Sequence, residues 1–169
     1  PVKVRAIAPT GTISIIAETT SGIEPVYCVA FKRRYLKGNT WHAQYVVDAA
    51  AQRLIESGVD PKDIEDAVTL SEDTERRVSF QHWVQQFVDH GISSTINLPA
   101  WGSDANNASK VREFGNMLLT YLPGLRGITC YPDGARGGQP LNRVEYEEAV
   151  DKLGVEFEEH GNEQSCVSG

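Results

Sequence analysis

The sequence predicts an α/β fold in which short parallel strands alternate with helices. Four segments are apolar and rich in β-branched residues, a pattern typical of strands: residues 2–8, 26–35, 93–98 and 127–131. Stretches with helical periodicity lie between them, and helices between consecutive strands imply parallel strands joined by crossovers. About four strands are too few to close a barrel. Because the chain also opens on a strand, with Pro1 rather than Met, we expect it to be a piece of a longer protein.

The helices are predicted from caps and apolar spacing. We expect them at residues 41–57, 61–69, 74–90, 104–121 and 143–153, with residues 13–18 as a short helix or a bent extended segment. Gly58 would end the first, and Asp60 would cap the second. In the third, an apolar stripe at helical spacing predicts a face turned to the core: Phe80, Trp83, Val84, Phe87 and Val88.

The chain end differs in composition from the rest. Residues from about 154 are acidic and contain Gly and Ser, with little apolar surface to bury. The sequence therefore predicts one domain over residues 1–153 and a mobile acidic tail over residues 154–169.

Composition and charge exclude several classes of partner. The net charge is −7 and the isoelectric point is about 5.1, which argues against a nucleic-acid or anionic-membrane surface. The short basic group Lys32–Arg34 does not reverse this, and we expect it at the end of a strand. No apolar run reaches the roughly 18 residues of a membrane span. The few, widely spaced cysteines fit a reducing cytoplasm better than a secreted disulfide framework.

The cysteines and histidines give no sign of a metal site. Cys28 and Cys130 lie in strand-like apolar runs, where a small buried hydrophobe is the expected role. The four histidines have no ligand spacing with one another or with cysteine, so no zinc or other metal site is expected.

Residues 8–14, with the sequence APTGTIS, have the local chemistry of an anion-binding loop. A strand ends there, a glycine permits a tight turn, and small hydroxyl residues follow. Successive backbone N–H groups in such a turn can point at a phosphate, and the hydroxyls of Thr10, Thr12 and Ser14 would add donors. An ordinary strand-to-helix turn explains the same residues, since the loop has neither a Walker lysine nor a G-x-G-x-x-G motif.

Three segments in order resemble the large subunit of ribonucleotide reductases. They are residues 8–14 (APTGTIS) with 21–25 (SGIEP), residues 93–99 (SSTINLP), and residues 127–136 (GITCYPDGAR) with 138–141 (GQPL). The third resembles the adenosylcobalamin-dependent class, and the di-iron-dependent class is the nearest alternative.

The resemblance implies a fold and a site. The chain would be the carboxy-terminal portion of a ten-stranded α/β barrel, an incomplete barrel of short strands with outer helices. The loop would bind the substrate diphosphate largely through backbone amides, with these substrate-binding residues: Pro9, Thr10, Gly11, Thr12, Ile13 and Ser14.

The resemblance also implies the reaction and partners of the complete enzyme. It would be a ribonucleoside-diphosphate or -triphosphate reductase in which a thiyl radical drives loss of the 2′-hydroxyl. Adenosylcobalamin would supply the radical, with contacts mostly outside this chain. A thioredoxin- or glutaredoxin-like protein would be the reductant.

No segment of the chain matches the family's radical cysteine or its active-site cysteine pair, which lie upstream of the diphosphate loop. We therefore expect no catalytic residue here and no activity without the missing amino-terminal part. Cys166 is either half of the family's redox shuttle pair or an inert exposed thiol. The alternative to a reductase fragment is a stand-alone α/β module that binds phosphate or a partner without catalysis.

Four charged residues near these motifs have open roles. Glu24 is either a buried acid that shapes the loop or a satisfied turn carboxylate. Asp133 and Arg136 are expected to form a surface ion pair. Arg126 and Arg136 could instead assist phosphate binding, since a guanidinium matches phosphate geometry.

Overall fold

The computed structural model describes residues 3–132 and 141–158. Its helices are α1 (Gly11–Ile16), α2 (Ala49–Glu56), α3 (Thr74–Gln85), α4 (Val111–Tyr121) and α5 (Tyr146–Asp151). Its strands are β1 (Ala30–Lys37), β2 (Thr40–Val47), β3 (Thr95–Leu98), β4 (Thr129–Pro132), β5 (Leu141–Arg143) and β6 (Glu156–Glu158). Short 3₁₀ turns lie at Pro61–Asp63, Thr69–Glu72 and Leu122–Gly124.

One part of the molecule is a parallel array with outer helices. β3 and β4 are parallel. The strand predicted over residues 2–8 is reduced, within the described residues, to an isolated parallel bridge between Ile7 and Ile92. Three segments of the array thus run in the same direction, and they do not close into a barrel within the described residues. Val78 of α3, Ile96 of β3 and Leu125 form the buried centre of this part.

The other part is an antiparallel sheet in the order β5–β1–β2–β6. The second predicted strand, observed as β1, is therefore antiparallel to both of its neighbours and not parallel as expected. Its core is Ala30, Tyr45 and Ala149, so α5 packs on one face of the sheet. A separate small cluster of Val26, Ala51 and Ile64 joins α2 to the segments on either side of it.

The predicted helix over residues 41–57 is wrong in its first half, which forms β2 instead. Lys37 pairs with Thr40, so Gly38 and Asn39 form a two-residue hairpin loop, with Gly38 at φ +63°. A Gly-Asn pair between two runs of aromatic and β-branched residues is a hairpin signal, and it outweighs helical spacing here. The helix begins only after Asp48, whose carboxylate caps the amides of Ala50 and Ala51.

The hairpin also corrects the expected place of the basic group. The predicted strand over residues 26–35 begins later, as β1, and runs to Lys37. Lys32–Arg34 therefore lies in the middle of a strand rather than at its end. Arg33 and Arg34 lie over the rings of Tyr35 and Trp41, which accommodates these cations within the sheet.

Four other predicted helices are shorter than expected, and the one predicted over residues 74–90 ends at Gln85. Asp60 caps its turn as predicted, accepting from the amide of Lys62, but only a 3₁₀ turn follows. The helix predicted over residues 104–121 begins at Val111, because the Asn106 and Asn107 side chains bond to preceding carbonyls and favour turns. The helix predicted over residues 143–153 is α5, while Arg143 belongs to β5.

The aromatic residues of the predicted stripe do not face the core, contrary to the prediction, although Val88, just beyond the end of α3, is buried as expected. Trp83 is 56% exposed and Phe87 is 53% exposed. The buried side chains of this helix are instead Arg77, Val78, Gln81 and Gln85. Gln85 donates to the carbonyls of Val88 and His90 and accepts from the amide of Arg126, so these polar groups satisfy loop ends that a leucine could not.

The structure differs from the predicted mobile tail at its start. Residues 156–158 form β6, which pairs with β2. The ring of Phe157 packs 5.7 Å from that of Tyr45, and the Tyr35 hydroxyl bonds to the Glu156 carboxylate. The remainder of the predicted tail, residues 159–169, lies outside the described residues.

Candidate functional site

The predicted loop lies at the carboxyl end of the first parallel segment. Ile7 pairs with the second segment, and residues 9–14 follow directly. β3 and β4 run in the same direction and end at Leu98 and Pro132. In α/β barrels and open α/β sheets, ligands bind at the carboxyl ends of the strands. The loop therefore occupies the edge of the array where a ligand is expected.

The loop presents backbone N–H groups at the start of a short helix. Thr10 has φ +48°, an unusual conformation for a residue with a side chain, and it turns the chain into α1. The amide of Ser14 donates to the carbonyl of Thr10 at 2.9 Å. Within the described part of the chain, the amides of Gly11, Thr12 and Ile13 have no hydrogen-bond acceptor. These three donors lie on exposed residues and are available to an anion.

The hydroxyl groups of the loop have different roles from those expected. The hydroxyl of Ser14, a residue only 7% exposed, donates to the carbonyl of Gly11 at 2.8 Å. The hydroxyl oxygen of Thr10 accepts from the amide of Gly22 at 3.1 Å. Ser14 therefore stabilises the turn, and Thr10 links it to residues 21–25. Thr12 is exposed, and its hydroxyl makes no such bond within the described residues.

Two glycines near the loop differ in what they require. A Cβ added to Gly22, at φ +56°, would lie 3.2 Å from the Ala8 carbonyl oxygen, so glycine is needed for packing. A Cβ added to Gly11 would meet nothing within 4 Å. Neither the backbone angle nor a neighbouring atom of the described chain requires glycine at position 11.

A half-buried ion pair connects residues 21–25 to the parallel array. One carboxylate oxygen of Glu24 accepts from the amide of Thr95 at 2.6 Å, and the other from Arg77 at 3.1 Å. The same nitrogen of Arg77 lies 3.2 Å from the Ser94 hydroxyl oxygen. Of the two readings of Glu24, the geometry fits the hydrogen-bonding acid beside the loop.

Burial perturbs both partners of this pair. Burial raises the pKa of the Glu24 carboxyl, while the Thr95 amide and the charge of Arg77 oppose the change. Burial likewise lowers the pKa of the Arg77 guanidinium, and the Glu24 charge opposes this. Each group thus depends on the other to remain charged away from water.

Arg77 and Ser94 were not among the residues predicted for the site. The only sequence signal is a second stripe at helical spacing on α3, formed by Arg77, Gln81 and Gln85. It competes with the aromatic stripe, and the chemistry of hydrophobic burial favours the aromatic one. A polar stripe of this kind is recognisable only once its backbone partners are known.

The other candidates lie away from the loop or beyond the described residues. Cys28 is fully buried, as predicted, and burial raises the pKa of its thiol to about 12. Cys130 is only partly buried, and its pKa is raised by burial. Arg126 precedes β4 and so lies at the amino end of the strand, opposite the loop edge. Asp133, Arg136 and Cys166 lie outside the described residues.

The described residues contain neither a set of side chains suited to a metal ion nor a helix long and apolar enough to cross a membrane. One cleft lies between β1, residues 61–69 and the start of α5, with a volume of about 70 Å³. That space is far below the several hundred Å³ of typical cofactor pockets. This cleft is therefore too small to hold a corrin cofactor.

Parallel strands with outer helices, and an exposed loop at their carboxyl edge, are the features of part of an α/β barrel. The family model for the "Ribonucleotide reductase, barrel domain" matches residues 2–131, so the chain belongs to that family. The predicted family and the partial α/β barrel are both confirmed.

Similar proteins include vitamin B12-dependent reductases. One is the vitamin B12-dependent ribonucleoside-diphosphate reductase of Mycobacterium tuberculosis, 28% identical over 97% of this chain and 26% of that protein. The protein of the same name from Thermoplasma acidophilum is 30% identical over 80% of this chain and 19% of its own length. The crystal structure of a B12-dependent class II ribonucleotide reductase has a similar fold, with a TM-score of 0.63 at 15% identity, over 86% of this chain and 22% of that one. The chain spans about a quarter of the length of these relatives.

Proposed function

We propose that this chain supplies the substrate-diphosphate site of a ribonucleotide reductase. The observation that carries the proposal is the set of three exposed amides at Gly11, Thr12 and Ile13, at the carboxyl edge of the parallel strands. Three neighbouring N–H donors at a helix start can bind the oxygens of a phosphate group. The family membership makes a ribonucleoside di- or triphosphate the substrate that would bring that group.

The role of the loop is to hold the substrate in place. With its diphosphate fixed, the ribose would be held at a set distance from the reacting group. Positioning of this kind removes translational and rotational freedom before the chemical step and supplies much of the rate. Thr10, fixed through its hydroxyl to Gly22, and Ser14, fixed to Gly11, keep the three amides in one arrangement.

The chemical step itself depends on polypeptide upstream of this chain. We propose a thiyl radical on that part as the group that initiates loss of the 2′-hydroxyl. Adenosylcobalamin would generate the radical, since relatives of the chain are named as vitamin B12-dependent. A thioredoxin- or glutaredoxin-like protein would return the enzyme to its reduced state. This chain alone is expected to be inactive.

Substitution of Gly11 by valine in the complete reductase tests the loop directly. The Cβ of residue 11 faces open space, so Gly11→Val is expected to fold normally. The β-branched side chain would occupy the volume that a bound phosphate needs. We expect the KM for the ribonucleotide to rise by about tenfold or more, the cost of losing one charge-assisted hydrogen bond.

The matched control is Gly115→Val in α4, where an added Cβ also meets nothing within 4 Å. This variant should leave the KM unchanged. An unaltered KM in Gly11→Val, with the protein folded, would contradict the proposed diphosphate site.

A further inference from the structure

The first parallel segment loses its partner at a defined residue. The amide of Ile7 donates to the carbonyl of Gly91 at 3.1 Å, and the amide of Ser93 donates to the carbonyl of Ile7 at 2.9 Å. The next rung of a parallel ladder would use the amide and the carbonyl of Pro9. Proline has no N–H to donate, so the ladder ends there.

Glu24 satisfies the group that this interruption leaves open. In a continuing ladder the amide of Thr95 would donate to the carbonyl of Pro9. It donates instead to the carboxylate of Glu24 at 2.6 Å. The segment carrying Glu24 fills the gap between the two strands, since the position of a Cβ on Gly22 is 3.2 Å from the Ala8 carbonyl oxygen and 3.6 Å from that of Ser93.

Arg77 fixes Glu24 from the helix side. Its side chain is 8% exposed, and its guanidinium lies 3.1 Å from the Glu24 carboxylate. Its remaining contacts include the Ser94 hydroxyl at 3.2 Å, beside Thr95. An ion pair held between a helix and a strand end has little freedom to rearrange, because moving either partner leaves the other charge buried and unpaired.

A second hydrogen bond links the segment that carries Glu24 to the diphosphate loop. The amide of Gly22, two residues before Glu24, donates to the hydroxyl of Thr10 at 3.1 Å. Thr10 is the left-handed residue that starts α1 and orients the three open amides. Glu24 therefore connects the strand end to the loop without itself belonging to the set of amide donors.

We propose that Glu24, held by Arg77, is a positioning residue for substrate binding: it separates the first parallel segment, around Ile7, from β3 at Pro9 and sets the angle at which the loop amides face the diphosphate. The inference rests on the proposed function. It assigns Glu24 no contact with substrate and no proton transfer.

The test compares Glu24→Ala and Glu24→Gln in the complete reductase. Alanine removes both the acceptor for Thr95 and the partner of Arg77. We expect the KM for the ribonucleotide to rise by about 10- to 100-fold, the scale of effect that a displacement of about 1 Å can produce, with kcat little changed. Glutamine keeps an oxygen for the Thr95 amide and should restore a large part of the affinity.

A matched control is available one residue away on α3. Arg76 and Glu65 form an ion pair with side chains 57% and 53% exposed, far less buried than Arg77 and Glu24. Glu65→Gln should leave both KM and kcat unchanged. If Glu65→Gln raised the KM as much as Glu24→Ala, the loss of a negative charge alone would explain the effect, and the positioning role would be wrong.

Two further results would overturn the inference. A fall in kcat with an unchanged KM would show that Glu24→Ala reduces only the amount of folded enzyme. An unchanged KM and kcat would show that the bridge has no role in binding. Gly11→Val separates this failure from that of the proposed function: if it raises the KM while Glu24→Ala does not, the loop binds substrate and Glu24 does not position it.

Discussion

Gly11 and Gly22 occur eleven positions apart, and the structure gives them opposite roles. Gly22 is required by its own chain, because its φ is +56° and a Cβ would crowd the Ala8 carbonyl. Gly11 has open space around it and an ordinary helical position. Nothing in the described chain requires glycine at position 11. The missing side chain is best explained by a ligand that approaches the three open amides from outside.

Cys28 should be unreactive while the protein is folded. Its thiol pKa is raised to about 12 by burial, with the nearby charge of Asp66 adding to the effect. At pH 8 the reactive thiolate is then about a ten-thousandth of the total, against about a tenth for an unperturbed thiol. Mass spectrometry after a short pulse of iodoacetamide should find Cys130, which is only partly buried, modified before Cys28.

The same shift makes Cys28 a source of alkaline sensitivity. Its pKa is higher in the folded than in the unfolded chain, so folding favours the protonated thiol. That contribution is complete below pH 9, the model value for a free thiol, and is lost as pH rises toward 12. Rapid labelling of Cys28 at pH 8, at the rate of the unfolded chain, would contradict its burial.

At the scale of elements, α3 covers one side of the parallel array. Val78 packs against Ile96, and the three polar residues of the same face bond to backbone and side-chain groups at the ends of neighbouring segments. On the outer face, the Phe80 ring instead stacks on that of Trp83 with centroids 6.1 Å apart, and the Phe87 ring meets Trp83 edge to face at 5.2 Å. The helix is therefore held by the apolar cluster around Val78 and by several directed hydrogen bonds.

Substitutions on α3 test which of its two faces is buried. Trp83→Ala is expected to change the free energy of unfolding of this chain by less than about 0.5 kcal/mol, as is usual for exposed sites. Val78→Ala, at a fully buried position, should cost about 2 kcal/mol through lost packing. Urea unfolding followed by circular dichroism would measure both.

The opposite ranking, with Trp83→Ala the more destabilising of the two, would contradict the placement of the aromatic stripe on the outside.

How far the sequence could predict the structure differs between elements for physical reasons. The strands at residues 95–98 and 129–132 and their parallel direction were predictable, because β-branched runs separated by a helix admit few arrangements. The hairpin of β1 and β2 was missed because helical spacing was weighted above the Gly38-Asn39 turn. Which face of α3 is buried could not be deduced, because two stripes fit the same helix and only tertiary contacts select one.

The loop was predictable in position, but its details were not. A strand followed by a glycine turn and hydroxyl residues indicates an anion site, and the structure leaves the expected amides open. The bonds that fix it join residues far apart in sequence, such as Glu24 with Arg77 and Thr95. Single-sequence patterns carry no information about such pairs.

At the scale of the whole molecule, the described residues expose apolar surface where a barrel would continue. Ile15 and Ile16 of α1 are 78% and 79% exposed, and Ile13 and Val4 are also exposed. A stand-alone module would bury such side chains, whereas polypeptide upstream of the chain can cover them. This exposure, with a match to about a quarter of the length of full reductases, favours a barrel portion over an independent phosphate-binding module.

The central claim is that the amides at the start of α1 bind the diphosphate of a ribonucleotide. Hydrogen–deuterium exchange of residues 10–14 in the complete reductase, with and without a saturating ribonucleoside diphosphate, measures those amides directly. The account predicts slower exchange at Gly11, Thr12 and Ile13 when the nucleotide is bound. Exchange that stays as fast in the presence of bound nucleotide as in its absence would contradict it.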